Sequence, residues 1–261
     1  MTTCGPNEQL QRMLLPDLPN EILLLIAENL QVEGDINAFA RTNDRLYGIL
    51  NPYLYRHNVE RKHGTALTWA AKRGQDVTAQ KSLEAAKIGV ATQYRYYGRA
   101  DLLWAVRNGH ESVVRLLIGS GLSSLDLEDF SHELLYAARF GRTAVVQLLL
   151  ESVDVNCKWG NGRTPLSLAA EKGHEDVVQL LLEYKNVHVD AKDRFGRTPL
   201  LWAVDYKHNT VVQLLVKHGG VNINSKDSLG RTPLSIAKAR RDAMIVQLLL
   251  ECEINGPKSM D

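Results

Sequence analysis

Three strings that are nearly the same constrain this chain more than anything else in it: GRTPLSLAAEKG from Gly162, GRTPLLWAVDYK from Gly196 and GRTPLSIAKARR from Gly230. Their threonines, Thr164, Thr198 and Thr232, are separated by 34 residues twice. A fixed period of that size marks a repeat architecture, in which each unit buries its apolar face only against its neighbours. Upstream, SHELLYAARFG aligns His132 with Thr164, ADLLWAVRNG aligns Ala100 and TALTWAAKRG aligns Thr65, at steps of 32, 32 and 35. Six units therefore span about residues 61–255.

Each unit has the same internal logic. Thr164, Thr198 and Thr232 are suited to cap a helix, and Pro165, Pro199 and Pro233 occupy the first helical position, where a missing N–H costs nothing. Gly74, Gly109, Gly141 and Gly173 fall nine residues after the aligned starts, where a left-handed backbone ends one helix and turns into the next. The second helix carries VVRLLI from Val113, VVQLLL from Val145 and Val177, VVQLLV from Val211 and IVQLLL from Ile245. Such helices are shorter than the ~12–15 residues an isolated helix needs in water, so stacking must stabilise them. Between units, DVNCKWGNG, HVDAKDRFG and NINSKDSLG read as projecting β-hairpin fingers. Lys207 and Arg241 replace the turn glycine in the last two units. If their backbones are left-handed they cost about 1–2 kcal/mol each, and Lys207→Gly should raise the melting temperature.

Composition excludes several functions. Lys plus Arg number 31 against 30 Asp plus Glu, so no whole-chain field points to nucleic acid, an acidic substrate or a membrane surface. The longest strongly apolar run, Ile22 to Ala27, is far short of the ~20 residues that cross a bilayer, and the first residues carry no signal-peptide core. A soluble chain of the cytoplasm, the nucleus or both is expected. Cys4, Cys157 and Cys252 form no close pair, and the eight histidines have no metal-binding or nucleophile-activating spacing. No cofactor, metal or small-molecule substrate is expected, and the chain is read as no enzyme. His110 and His174 recur at the same place in the turn, which argues for a structural hydrogen bond, because catalysis needs one site and not a periodic one. Tyr94 to Arg99 interleave cations with aromatics, but in the irregular linker between the first two units a variant finger is the plainer reading than single-stranded nucleic acid. The Arg240-Arg241 doublet reads as a solvated face that helps the last unit act as a polar cap.

The repeats resemble the ankyrin-repeat family through TPL, the Ala-rich helix, Gly109-His110 and Gly173-His174, the VVxLLL helix and the DVNxK finger. The likeness covers about three quarters of the chain. It implies an all-α solenoid with short β-hairpin fingers. Where that family places a histidine after TPL, Ser167, Leu201 and Ser235 stand instead, so its usual Thr–His bonding is not expected.

Residues 14–60 have no counterpart in the repeats and form a separate helical module, between a tail of residues 1–13 and the solenoid; residues 256–261 are a second tail. Asp17 and Pro19 mark the start of a helix over Glu21–Leu30, apolar almost all round, with further helices around Ile36–Arg41 and Asp44–Leu50. One face can pack on those helices; the other must meet the repeats or a partner. The pattern resembles an F-box, through Leu18-Pro19, Glu21-Ile22-Leu23, Ile26, Leu30, Asp35-Ile36, Thr42, Leu50 and Leu54-Tyr55, with Tyr55 in place of the family's closing Trp. That resemblance implies binding of the Skp-type adaptor of a cullin ubiquitin ligase through Leu18, Pro19, Ile22, Leu23, Ile26 and Ile36. The same helices would also serve as a cap for the solenoid, with or without a ligase.

Ankyrin proteins are similar to one another in binding through finger tips and the concave face of the first helices. Carried onto this chain, those positions are Tyr96, Tyr97, Arg107, Asn108, Arg139, Phe140, Trp159, Asn161, Glu171, Lys172, Arg194, Phe195, Asp205 and Tyr206. Six of the fourteen are aromatic, against 7% in the whole chain, and aromatic residues anchor protein interfaces. Trp159, Phe195 and Tyr206 are the leading anchors for a target protein. The expected function is that of a non-catalytic subunit that recruits a target for ubiquitination; the alternative is a ligase-independent ankyrin scaffold or inhibitor.

Overall fold

A computed structural model describes residues 18–29, 46, 49–50, 65–88, 94–120 and 130–255. A leading helix α1 (Asn20–Asn29) comes first. Helix pairs follow: α2 (Thr65–Arg73) with α3 (Asp76–Ile88), α4 (Tyr94–Asn108) with α5 (Glu111–Gly119), α6 (Ser131–Arg139) with α7 (Thr143–Leu149). The array continues with α8 (Pro165–Lys172) and α9 (Glu175–Leu182), α10 (Pro199–Asp205) and α11 (Asn209–His218), α12 (Pro233–Arg240) and α13 (Ala243–Asn255). Each even-numbered helix from α2 to α12 packs on the next, and the odd-numbered helices from α3 to α13 form a second layer. One apolar core runs between the layers from Leu67 to Leu249. Val145, Val146 and Leu149, with Val177, Val178 and Leu181 one unit on, show how the VVxLL pattern turns one stripe inward.

The caps form as the residue types dictate. The hydroxyl of Thr164 accepts from the Ser167 N–H at 3.2 Å, Thr198 from Leu201 at 3.4 Å and Thr232 from Ser235 at 3.2 Å. In place of the missing histidine, the Ser167 and Ser235 hydroxyls turn back and donate to the Thr164 and Thr232 carbonyls, each at 2.8 Å. In the second unit Ala100 and Asp101 stand where later units have Thr-Pro, so nothing fixes a start there. The helix accordingly extends back to Tyr94, and the irregular linker expected over Tyr94–Arg99 is a helical turn.

The fingers correct a second expectation, since no strand occurs among the described residues. Each is a tight turn closed by two main-chain bonds: Trp159 N–H to Arg163 O at 2.9 Å with Gly162 N–H to Trp159 O at 2.6 Å, Asp193 to Arg197 at 3.1 Å with Gly196 to Asp193 at 3.0 Å, and Asp227 to Arg231 at 3.1 Å with Gly230 to Asp227 at 2.9 Å. In the fingers of Asp193 and Asp227 a ladder cannot extend because the aspartates capture its donors. Asp193 Oδ1 accepts from the N–H groups of Phe195 and Arg197 at 2.8 and 3.0 Å, and Asp227 Oδ1 from those of Leu229 and Arg231, both at 2.9 Å.

Left-handed turns appear where glycine predicts them, with φ from +67° to +79° at Gly74, Gly109, Gly141 and Gly173, and also at Lys207 (φ 60°) and Arg241 (φ 56°). His110, His174 and His208 each donate Nε2–H to a carbonyl of the preceding unit, Lys72 at 3.2 Å, Arg139 at 2.9 Å and Glu171 at 2.8 Å. In the unit between, Arg142 does the same to Arg107 O at 2.8 Å. The periodic histidine is structural, as its recurrence implies, and His208 extends the series. These rings lie beneath the turns: a Cβ at Gly141 would sit 2.6 Å from His174 Nδ1, and Cβ atoms at Gly74 and Gly173 would collide with His110 and His208. In the unit after Lys207 the register position of the ring is Asp242. At Lys207 a side chain is therefore admitted where no ring is stacked against the turn.

Candidate functional site

The first helices share a register that carries the surface chemistry. Counting each residue aligned with Thr164 as the first, the fifth positions are Trp69, Trp104, Tyr136, Leu168, Trp202 and Ile236. Trp69 and Trp104 are exposed, Tyr136 and Trp202 half-buried, and the two aliphatics buried. The sequence reading missed this column. Its signal was present as an aromatic recurring at one helical position, not as a property of the fingers.

On α4 and α6 the column joins a continuous strip. Lys72 Nζ lies 4.6 Å from the centre of the Trp104 ring, and the Arg107 guanidinium sits between Trp104 at 5.4 Å and Phe140 at 5.2 Å. Phe140 stacks on Tyr136 at 6.0 Å, Tyr136 meets Trp159 at 5.0 Å, and Trp159 stacks on His132 at 6.2 Å. Trp159 is thus no free-standing finger anchor. A ring of that size gains more by covering Tyr136 than by standing in water, and it is half-buried there.

Acids on this strip face inward. Glu133 is buried and accepts from Arg99 at 3.2 and 3.4 Å. Asp101 is buried as well; burial pushes its carboxyl up to about 6, against the opposing Thr68 hydrogen bond and Lys72 charge. Lys72, Arg73, Arg107 and Arg139 are exposed.

Around α8 and α10 the arrangement differs. The Trp202 ring lies between the guanidiniums of Arg163 at 4.2 Å and Arg197 at 4.4 Å, and its indole N–H donates to Asp193 at 3.0 Å. Arg163 pairs with Glu171, Arg197 with Asp205 at 3.0 Å, Arg240 with Asp205 at 2.6 Å and Arg231 with Asp227 at 2.7 Å. Burial alone would raise the Glu171 carboxyl, but hydrogen bonds from Lys172 and Arg163 outweigh it and hold it below the usual carboxylate range. Asp227 is held low in the same way, by Arg231 and two main-chain N–H groups against its burial.

The expected contact residues therefore divide. Arg107, Arg139, Lys172 and Arg194 are exposed, as are Phe195 (57%) and Tyr206 (50%), the latter stacked on His208. Glu171 and Asp205 are interior ion-pair members, the Asp205 side chain only 9% exposed, and are not surface contacts. Arg240 is tied to Asp205 and is not a merely solvated charge. The outer face of the last unit is not a polar cap either, since Met244, Leu250 and Ile254 are exposed on α13. Phe140 and Asn108 are half-buried, Asn108 donating to the Trp104 carbonyl at 2.9 Å. Tyr96 and Tyr97 lie in the first turns of α4 and not on a finger, and their side chains fall outside the described residues.

On the leading helix, Pro19 O accepts from the Ile22 and Leu23 N–H groups, both at 3.1 Å, so the helix starts where the proline predicts. Leu23 is fully buried, with Leu46 and Leu50, and is a core residue instead of an adaptor contact. Ile22 is 42% exposed and Leu25, which sequence reasoning left out of the contact set, 52%. Their three-residue spacing puts them on one helix face. Pro19 is exposed, Leu18 and Ile26 half-buried, and Ile36 lies outside the described residues.

Among the described residues no group of three or more His, Cys, Asp or Glu is placed to hold a metal, and no helix is long and apolar enough to cross a membrane. Cys157 is half-buried against the core.

Residues 134–227 match the family model for ankyrin repeats in three copies, and residues 102–130 match that for a single ankyrin repeat. Neither match reaches residues 14–60. No curated protein matches the chain. The chain carries ankyrin repeats, which are generally non-catalytic scaffolds for binding other proteins.

Proposed function

We propose that the ankyrin repeats hold a target protein while the leading module docks on the Skp-type adaptor of a Skp–cullin–F-box ubiquitin ligase, making the chain a non-catalytic recruiting subunit. The observation that carries this reading is the exposure of Ile22 and Leu25 on a helix whose Leu23 is sealed in a core. Fully burying an aliphatic side chain of this size contributes about 1.5–3 kcal/mol, so two half-exposed neighbours retain a sizeable part of that for a second chain. Recruitment then acts by effective concentration, bringing target lysines near a charged conjugating enzyme held by other subunits. Residence in the cytoplasm, the nucleus or both accompanies this reading.

Co-purification of the full chain with the adaptor tests it. Capture at micromolar concentration, lost in Ile22→Glu with Leu25→Glu while the repeats melt as before, supports the proposal. Failure of the wild-type chain to capture the adaptor overturns it. The remaining reading is then a ligase-independent scaffold whose leading helix only caps the repeats.

A further inference from the structure

The inner face of the repeats presents one register with two electrostatic outcomes. The eighth position of α8 and α10 is an acid, Glu171 or Asp205, neutralised by the arginine just ahead of the same helix. In α2, α4 and α6 that position is Lys72, Arg107 or Arg139. The buried carboxylate of Glu133 nearby is already paired with Arg99. Among the described residues no carboxylate lies within ion-pair distance of Lys72, Arg107 or Arg139. Cations at the last turn of a helix are favoured by its dipole, so they need no ion-paired carboxylate to be tolerated there.

We infer that the exposed face of α2, α4 and α6 binds an acidic, extended peptide segment of the target protein. This rests on the reading that the repeats hold a protein and adds the chemistry of what is held. Carboxylates would meet Lys72, Arg107 and Arg139, and an apolar side chain would lie against the exposed ring of Trp69. Helices stacked at ~8–10 Å place the outer two of three ~20 Å apart, the reach of about six residues at ~3.3 Å each. Nucleic acid fits less well. The Trp104 face is covered by Lys72 and Arg107, and Trp159 leans on Tyr136, which leaves few open ring faces for bases. The unpaired cations here also fall short of the roughly six to ten phosphate contacts of a strong nucleic-acid interface.

Selection of the full chain against a random dodecamer peptide library on phage tests the assignment, followed by fluorescence anisotropy of the recovered peptide. The comparators are its Asn/Gln version and a single-stranded oligothymidine. The expected result is a peptide rich in Asp and Glu whose Asn/Gln version binds about tenfold more weakly or worse, with affinity falling as salt rises. Arg107→Glu with Arg139→Glu should lower affinity about tenfold or more in a chain that is still folded at the assay temperature. Lys238→Glu with Arg241→Glu, which removes equal charge from α12 and its turn, should change it less than about twofold. If the first pair disturbs folding, Arg139→Glu alone carries the test. Recovery of neutral or basic peptides overturns the inference and leaves protein binding by the repeats intact. Tighter binding of oligothymidine than of any peptide, or recovery of no peptide, overturns it together with that broader reading. Equal loss in the α12 variant reduces the site to unspecific charge attraction and also overturns it. Adaptor capture through Ile22 and Leu25 is read separately and is unaffected by each of these outcomes.

Discussion

In the second and third repeats the first helix carries a buried acid at the second register position, Asp101 or Glu133, and ends on an exposed cation, Arg107 or Arg139. In the fourth and fifth it opens on Thr-Pro and ends on an acid, Glu171 or Asp205, bound to arginine. The dipole explains why the two ends are not equivalent. A cation in the last turn is favoured as it stands, whereas an acid there is disfavoured and requires compensation from nearby arginines. The same scaffold thus yields one half with cations available to a partner and one half that neutralises itself.

The largest expected effect that sharpens this contrast comes from Glu171→Gln. It leaves the Arg163 guanidinium buried without its counter-charge and should cost about 3–5 kcal/mol in chemical denaturation. Arg107→Gln, at an exposed cation, should change stability by less than about 0.5 kcal/mol. Equal effects would erase the distinction between the halves.

Acidity should separate them next. The Asp101 carboxyl moves from 3.8 to about 6 on folding, which at ~1.36 kcal/mol per unit is a term of about 3 kcal/mol. Because the folded state holds this proton more tightly, the contribution is fully present below about pH 4 and is lost as pH rises through about 6. Glu171 and Asp227 are lowered, so theirs is present above the unfolded carboxyl range and lost as pH falls through the folded values. Hydrogen exchange at pH 5 relative to pH 7 should show α2 and α4 better protected and α8 to α12 not. Asp101→Asn should abolish the gain around α4.

Smaller effects test the turns. Gly173→Ala should cost about 2–3 kcal/mol, since a left-handed alanine costs ~1–2 and displacing His208 forfeits about one more with its bond to the Glu171 carbonyl. Lys207→Gly should stabilise by about 1–2 kcal/mol and raise Tm, because no ring constrains that turn and only the backbone cost is relieved. A Gly173→Ala cost no larger than the Lys207→Gly gain would mean the stacked ring plays no part.

Much of the fold was legible because its signals are local. Thr164-Pro165, the glycine nine residues on and the VVQLLL run each act within one unit, and their spacing alone reveals the repeat. The fingers were misread as strands because Asp193 and Asp227 look like ordinary loop acids; only their contacts show them taking the donors a ladder needs. The site was half legible. Arg107, Arg139, Phe195 and Tyr206 are exposed where the register places them, but Asp205 and Glu171 occupy the same kind of position and face arginines. Trp69, Trp104 and Tyr136 were overlooked because a helical aromatic reads as core until its neighbours are known.

By itself the sequence determined the period, the caps, the left-handed turns and the apolar stripe, since each depends on residues within a turn or two of one another. Tertiary structure decided which charges are paired, which rings are covered, and why a side chain is admitted at Lys207 and not at Gly173. The turns depend on what the next repeat, some 34 residues away, brings against them, and the acids on the arginines that folding lays beside them. Leu23 and Leu25 make the same point on the leading helix: they are identical in type and two residues apart, one sealed in a core and one 52% exposed, because helical rotation points them in opposite directions.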